Sequence, residues 1–463
     1  MNKSRICSII IAFIIYSTGS AYAGISPSLA NASYWQYNGE PILLLGGSSE
    51  DNLFQVDNLQ AELDRILSCG GNYVRNTLSS RDPGNVWAFG IDKESGKYDL
   101  NTWNDVYWER LDSFFKLTSE REIFVQVELW ATFDFYRESW LLNPFNPRNN
   151  INYNTDRTRI SEDIPTHPTR CDNRFFWSVP MQDNNMPVLA YQQKFIDKVL
   201  SYSLKYDHIL YCIDNETSVT AAWGRFWAEY IHKKAEESGR KVYVTEMWDP
   251  HDLNHISHRE SFDHPETYDF VEISQNNHKK GQQHWDNGLM QLARLDNPHL
   301  RRPVNNVKTY GSDSGRHGHG SQNGKESFIR NIFFGSASTR FHRPPSGQGI
   351  SDEAMNVIQS TRMITDSIDF FSSTVANSLL QEREDNEAYC RSIRDNEAIV
   401  FFTDGGEVQL MVEPGMYSIR WLDISQSRWG SNSTAAATSN LTLKPPADGM
   451  WFALIQPLKN GSN

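Results

Sequence analysis

The run HILYCIDNE (residues 208–216) is apolar through its middle and ends in three polar side chains, Asp214, Asn215 and Glu216. It stands between two amphipathic segments, residues 188–206 and 223–238, that read as helices. A short apolar run between two helices is the pattern of a parallel strand buried on both faces. The same unit recurs in both directions along the chain. Before it come strands at residues 41–47 (PILLLGG), 72–77 (NYVRNT) and 123–130 (IFVQVELW), with helices at 56–68 and 106–120. After it come strands at 241–248 (KVYVTEMW), 268–275, 303–310 and 338–343, with helices at 282–295, 325–334 and 352–371. The polar stretch between the fifth and sixth strands offers no convincing helix. Eight units in series predict an α/β fold closed into a (β/α)8 barrel rather than an open doubly wound sheet. No G-x-G-x-x-G follows the first strand, which argues against a dinucleotide site.

The chain begins with a different kind of signal. Lys3 and Arg5 precede an apolar run over residues 6–16, and Ala21-Tyr22-Ala23 supplies a small-residue cleavage site. This predicts an export signal over residues 1–23, a secreted or periplasmic product, and no integral membrane segment after cleavage. Losing Lys3 and Arg5 takes the formal charge from −13 to −15, which excludes nucleic-acid binding through the overall field. Residues 24–373 are assigned to the barrel. Residues 133–187 form a long Asn-, Pro- and Arg-rich insertion, and loops of that length are usually functional. Beyond residue 373 the pattern changes to short strands at 398–403, 408–412, 416–421, 440–444 and 451–455, with Asp404-Gly405-Gly406 expected to join the first two as a hairpin. Residues 374–463 therefore read as a small antiparallel β-sandwich bracing the barrel. The four cysteines beyond the signal, Cys69, Cys171, Cys212 and Cys390, need no disulfide framework.

In a barrel the carboxyl ends of the strands share one rim, where binding and catalytic side chains stand. Arg75 ends the second strand, Glu128 and Trp130 the third, and Asp214, Asn215 and Glu216 the fourth. Glu246, Trp248 and Asp249 end the fifth, and Glu272, Gln275, Asn276 and His278 the sixth. The seventh carries Lys308, Tyr310 and Asp313, and the eighth Arg340, His342 and Arg343. Carboxylates, amides and tryptophans on one rim suit the cleavage of a glycosidic bond, which needs two carboxyl groups, one held protonated. Glu216 is the first candidate for the proton donor, because burial at the end of an apolar strand would raise its pKa. Trp130, Trp248 and Trp285 are candidate stacking platforms for sugar rings.

Two stretches carry a family resemblance. IDNETS (residues 213–218), with NYVRNT ending the second strand, resembles the acid/base strand of clan A retaining glycoside hydrolases. YWQYNGEPILLLGGSSEDNLF (residues 34–54) is similar to the start of apiosidase-like barrels. The tail, GMYSIRWLDISQSRWG followed by PPADGMWFALI, looks like their small C-terminal domain, named for collagen binding. The resemblance implies an acid/base role for Glu216, with Asn215 and Arg75 as its neighbours. It fails at the seventh strand: in RPVNNVKTYGSD, Lys308 stands roughly where those enzymes carry a nucleophilic glutamate. A lysine cannot form the glycosyl ester, so the second carboxylate is sought elsewhere, first at Glu246, then at Glu272 and Asp313.

Lys279, Lys280, Lys308, Arg316, His317, His319, Arg340, His342 and Arg343 gather at the same rim of an acidic chain. Either an acidic glycan, uronate-bearing or sulfated, is the ligand, or these cations neutralise the rim carboxylates. His-Gly-His at residues 317–319, with no further ligand in the pattern, does not make a metal site, and no cofactor is called for. The sequence thus predicts a glycosidase acting on a polysaccharide or oligosaccharide. A non-catalytic carbohydrate-binding barrel and a polysaccharide lyase with a base such as Tyr310 are the rivals, and the oligomeric state is not encoded in any pattern found.

Overall fold

The computed structural model describes residues 24–393 and 397–458. The expected export signal, residues 1–23, lies outside the described residues. Eight parallel strands form the barrel: β1 (Leu44–Gly47), β2 (Tyr73–Thr77), β3 (Phe124–Trp130), β4 (Ile209–Asp214), β5 (Val244–Thr245), β6 (Val271–Glu272), β7 (Val304–Asn305) and β8 (Ser338–Phe341). One sheet runs in the order β5-β4-β3-β2-β1-β8, and β6 pairs with β7. The Asp269 N–H donates to the Val244 carbonyl (2.8 Å) and the Ala337 N–H to that of Val304 (2.8 Å), which joins the pair to β5 and β8 and closes the ring.

Strands β5, β6 and β7 are two residues long, although the apolar runs they come from are about eight. Side-chain hydroxyls replace the backbone ladder there. Thr245 Oγ1 donates to the Phe270 carbonyl (2.7 Å), and Ser274 Oγ accepts the N–H groups of Val307 (2.8 Å) and Lys308 (3.0 Å). A ladder broken in this way still satisfies the buried backbone, as it must.

The crossover helices are α1 (Leu59–Ser68), α2 (Asp105–Glu120), α3 (Met186–Ser203), α4 (Ala221–Glu237), α5 (His258–Asp263), α6 (Gly281–Ala293), α7 (Ser321–Phe334) and α8 (Asp352–Thr365). Helix α5 occupies the stretch that showed no helical pattern; it is six residues long and buries His258 and Ser261 beside Phe262, so its inner face is mostly polar. The run at residues 41–47 divides. Glu40–Ile42 joins Trp35–Tyr37 and Ile25–Pro27 in a three-stranded antiparallel cap, and only Leu44–Gly47 enters the barrel. Trp35 in this cap is fully buried, donates Nε1–H to Asn305 Oδ1 (2.8 Å) and packs edge-on against Tyr243 and Phe270.

The insertion over residues 133–187 is a series of short helical turns. Its asparagines act as backbone surrogates: Asn146 Nδ2 donates to the carbonyls of Trp140 and Glu162 (both 2.9 Å), and Asn150 Nδ2 to that of Pro144 (3.0 Å). The four described cysteines carry free thiols.

The C-terminal strands form a six-stranded antiparallel sheet facing a three-stranded one. Asp404-Gly405-Gly406 is not a hairpin. Ala398–Phe402 pairs with Ala388–Ser392 and Trp451–Pro457, whereas Val408–Met411 belongs to the other sheet, so this turn crosses between sheets. Arg428–Ala437 is an edge strand that pairs with Gly415–Asp423; it is polar and mostly exposed, which hid it from pattern reading.

The large sheet shares the barrel's core: Phe401 and Phe452 meet Phe333 of α7 with ring centroids 5.8 and 5.6 Å apart. Trp285, expected as a sugar platform, is instead buried against Tyr389 of this sheet, 4.3 Å between centroids. Arg391 fastens the junction, donating to the carbonyls of Phe333 (2.8 Å) and Ser373 (2.7 Å) and to Ser373 Oγ (2.8 Å). Replacing it by methionine leaves two buried carbonyls without a donor. Arg391→Met is therefore expected to cost about 3 kcal/mol in denaturant unfolding, and a loss under about 1 kcal/mol would show that the two layers do not depend on this junction.

Candidate active site

A cleft of about 660 Å³ opens at the carboxyl ends of the strands. Asp51 follows β1, Arg75 lies on β2, Asn215 and Glu216 follow β4, and Asp249 and His251 follow β5. His278 comes from beyond β6, Lys308 and Tyr310 from beyond β7, and His342 and Arg343 from beyond β8; the insertion adds Phe133 and His167.

Glu216 reaches the cleft through an unusual backbone. Asp214, two residues before it, faces helix α4, where Trp223 Nε1–H donates to its Oδ2 (2.8 Å). Strand alternation would send residue 216 the same way. Glu216 instead has φ +54°, a left-handed conformation that costs a non-glycine residue energy and redirects its side chain into the cleft. There its Oε1 meets Lys308 Nζ (2.8 Å) and the Tyr310 hydroxyl (3.1 Å). The expected rise in its pKa is overturned. Burial does push it up, but the charge and hydrogen bond of Lys308, then Arg75 and His342, outweigh burial and hold Glu216 at about 2. It is a carboxylate at neutral pH, not a proton reserve.

A second group of charges anchors the rim. Arg75 is fully buried between two carboxylates, Nη1 to Asp51 Oδ1 and Nε to Glu128 Oε1, each 2.6 Å. Burial pushes Asp51 up, yet Arg75 and His342 hold it well below the usual carboxylate range. Asp51 also faces Arg343 Nε (3.2 Å) and His342 Nδ1 (3.4 Å), and Arg343 pairs further with Glu50 (2.5 Å). Arg340 is buried behind them, donating to the Val307 carbonyl (2.9 Å) and to Ser48 Oγ. Of the cations expected at the rim, Lys308, Arg340, His342 and Arg343 meet carboxylates of the chain, whereas Lys279, Lys280, His317 and His319 meet none among the described residues, Lys280 donating instead to the Gly318 carbonyl. Arg316, exposed on the loop after β7, has no carboxylate partner among the described residues.

Several expected site residues are elsewhere. Glu246 is fully buried, takes the N–H groups of Asp214 (3.1 Å) and Met247 (2.9 Å), and lies beside Asp214 against Gly224 of α4, outside the cleft. Glu272 is buried, does not line the cleft, and accepts the Ser274 N–H (2.7 Å). Asp313 is exposed on its loop and accepts from Ser321 Oγ. Glu128 serves Arg75, and Asn276 is buried, donating to the His284 carbonyl (3.0 Å). Trp130 and Trp248 are core residues with no face open to a ligand.

The second carboxyl group in the cleft, apart from the Arg75-bound Asp51, is Asp249. Burial first, and then the negative charge of Glu216, push it up to about 6. It stood at the end of the fifth strand in the sequence, one turn beyond the more buried Glu246. Asp51, His167 and His251 lie in loops, where no periodicity marks them. His278 stacks on His251 (3.6 Å between centroids) beside Tyr310 (4.8 Å), and burial holds His278 at about 3, so that imidazole is neutral at pH 7.

The buried pair Asp214–Glu246 has a measurable signature. Burial holds Asp214 at about 8, and burial with the Asp214 charge holds Glu246 well above the carboxylate range. The folded pair keeps protons that unfolded carboxyls lose above about pH 4. Its contribution to stability is therefore full below about pH 4 and is lost as pH rises through about 8. Glu246→Gln is expected to flatten the decline of the thermal midpoint between about pH 5 and 9. An unchanged slope would show that the pair does not titrate in this way.

No family model and no curated protein matches the chain. Solved structures do. A glycoside hydrolase family 5 protein from Bacteroides vulgatus superposes with a TM-score of 0.59 at 12% identity, covering 93% of this chain and 92% of that one. A structure described as a glycoside hydrolase gives 0.62 at 11% identity over 93% and 97%. A family 5 mannosidase from Rhizomucor miehei gives 0.51 at 13% identity, covering 76% of this chain and 100% of its own. At these identities the likeness concerns architecture, and it establishes that the chain has the (β/α)8 barrel fold of these structures.

Proposed function

We propose that the protein is an exported glycoside hydrolase acting on a polysaccharide or oligosaccharide. One observation carries this reading: Glu216 and Asp249 share a cleft at the strand ends and have opposite ionisation preferences, about 2 and about 6. Two carboxyl groups with separated pKa values are what glycosidic cleavage requires. Asp249 in its protonated form donates to the glycosidic oxygen as the bond from the anomeric carbon breaks. Glu216 supplies the negative charge needed at that carbon, as nucleophile or as base toward water, and water completes the hydrolysis. This reverses the role that the family resemblance implies for Glu216. The imidazoles of His167, His278 and His317, neutral at pH 7 and each able to donate and accept, and Asn215 suit sugar hydroxyls. The barrel folds of the compared hydrolases support the reading.

The pairing of the cation ring bears on the substrate. Among the described residues that line the cleft, Arg316 is the Lys or Arg without a carboxylate partner, so we propose a reacting sugar that is uncharged, with Arg316 available to an acidic substituent further out. Binding of neutral glycans is accordingly expected to change little with salt. A strong preference for acidic glycans, weakening as salt rises, would contradict it. The lyase reading loses its base: burial and then Glu216 push the Tyr310 hydroxyl well above its ordinary value. The non-catalytic barrel keeps one observation in its favour, the occupation of Glu216 by Lys308.

The test is release of reducing ends from a panel of glycans. Glu216→Gln and Asp249→Asn are each expected to lower kcat at least about 100-fold while leaving binding largely intact. In the wild type kcat/KM should fall as pH rises through about 6, where Asp249 loses its proton. Glycan binding without reducing ends at any pH would establish the binding barrel instead, and a rate that climbs between about pH 6 and 8 would remove Asp249 as the acid.

A further inference from the structure

We infer that Lys308 is a positioning residue whose ammonium, held by Asn215, keeps the Glu216 carboxylate charged and in one orientation, so that the acid role falls to Asp249. The assignment of roles rests on the glycosidase reading; the clamp itself does not.

The geometry is that of a built device. The Lys308 side chain is only 3% exposed, and its Nζ lies 2.8 Å from Glu216 Oε1 and 2.6 Å from Asn215 Oδ1. Burying an ammonium costs several kcal/mol unless acceptors surround it, and these two are placed side by side by consecutive residues at the end of β4. The backbone of Lys308 is itself fixed, its N–H donating to Ser274 Oγ (3.0 Å). On the carboxylate, three donors converge on one oxygen: Lys308 Nζ, the Tyr310 hydroxyl (3.1 Å) and Gln275 Nε2 (3.5 Å) all address Oε1. The other oxygen, Oε2, meets no hydrogen-bond donor among the described residues, and the carboxyl group lines the cleft. A proton on this group would have to displace or oppose the ammonium. The left-handed backbone at Glu216 is consistent with a conformation held by these contacts.

The remaining charges around Glu216 act in the same direction or not at all. Arg75 on β2 favours the carboxylate, as does His342 beyond β8 to the extent that it is charged. Burial lowers the pKa of His278, His317 and His167, so these three imidazoles are neutral at pH 7. Asp249 beyond β5 is the opposing group, and it yields: Glu216 raises its pKa, while Lys308 exerts only a smaller pull downward. One lysine from beyond β7 thereby decides which of two carboxyl groups carries the proton.

The experiment reads Glu216 directly and needs no substrate. The full chain is labelled at the glutamate side-chain carboxyl carbon with ¹³C, and Glu216→Gln identifies the resonance. In the wild type, Glu216 is expected to remain ionised down to about pH 3. In Lys308→Met its titration midpoint should rise by about two pH units or more toward and beyond the ordinary glutamate value, and Lys308→Arg should restore the low value. A midpoint at or above about 4.3 in the wild type would overturn the inference even if Lys308→Met fails to fold. Equal midpoints in wild type and Lys308→Met would overturn it as well. Should no glycan be hydrolysed, the function proposed above falls, while these midpoints still decide the role of Lys308.

Discussion

The guanidinium of Arg75 is the fixed point of the molecule's working face. It is wholly buried, so it persists only because Asp51 and Glu128 meet it at 2.6 Å from either side. Those three residues stand on or beside β2, β1 and β3, and Asp51 carries the network on to His342 and Arg343 beyond β8. Removing one partner of such a cluster leaves an uncompensated buried charge, a penalty of about 3–5 kcal/mol, whereas the intact cluster adds little net stability. Its value is positional. It locks four neighbouring strand ends into one arrangement and holds the Arg75 guanidinium where its charge favours the Glu216 carboxylate.

From that constraint the division of labour in the cleft follows. On the β1–β3 and β8 side, cations and carboxylates are matched and leave little net charge. On the β4–β7 side, one carboxylate is pinned by an ammonium, and another is left partly desolvated, where the charge of Glu216 acts on it more strongly than that of Lys308. The same medium thus drives two chemically similar groups to opposite ends of the acid range. His278, neutral at pH 7 and stacked on His251, and the Tyr310 hydroxyl add groups that read hydroxyls without adding charge.

Much of the barrel was legible because parallel strands and crossover helices have different periods, and each strand from β1 to β8 lies inside one of the eight short runs between helices that read as strands. The rim residues Arg75, Asn215, Glu216, His278, Lys308, Tyr310, His342 and Arg343 were found because they end those runs. What could not be read is which side a residue takes when a strand has only two ladder residues. Glu246 and Asp249 differ by three positions, and only the coordinates reveal that the first turns toward α4 and the second toward the cleft. The ionisation of Glu216 was misjudged for a similar reason: burial is visible in a sequence, but a lysine brought in from another strand is not. In the sandwich, the polar edge strand Arg428–Ala437 and the inter-sheet crossing at residues 404–406 were hidden because exposure and turn chemistry alone do not specify a partner strand.

The central claim is that a glycosidic bond is held between Asp249 and Glu216. A crystal structure of the Asp249→Asn protein with an oligosaccharide that the wild type cleaves tests it most directly. The account predicts the glycosidic oxygen within hydrogen-bonding reach of the residue 249 amide and the anomeric carbon facing Glu216 Oε2. A saccharide seated in the cleft with its linkage remote from both, or bound only outside it, would contradict the account.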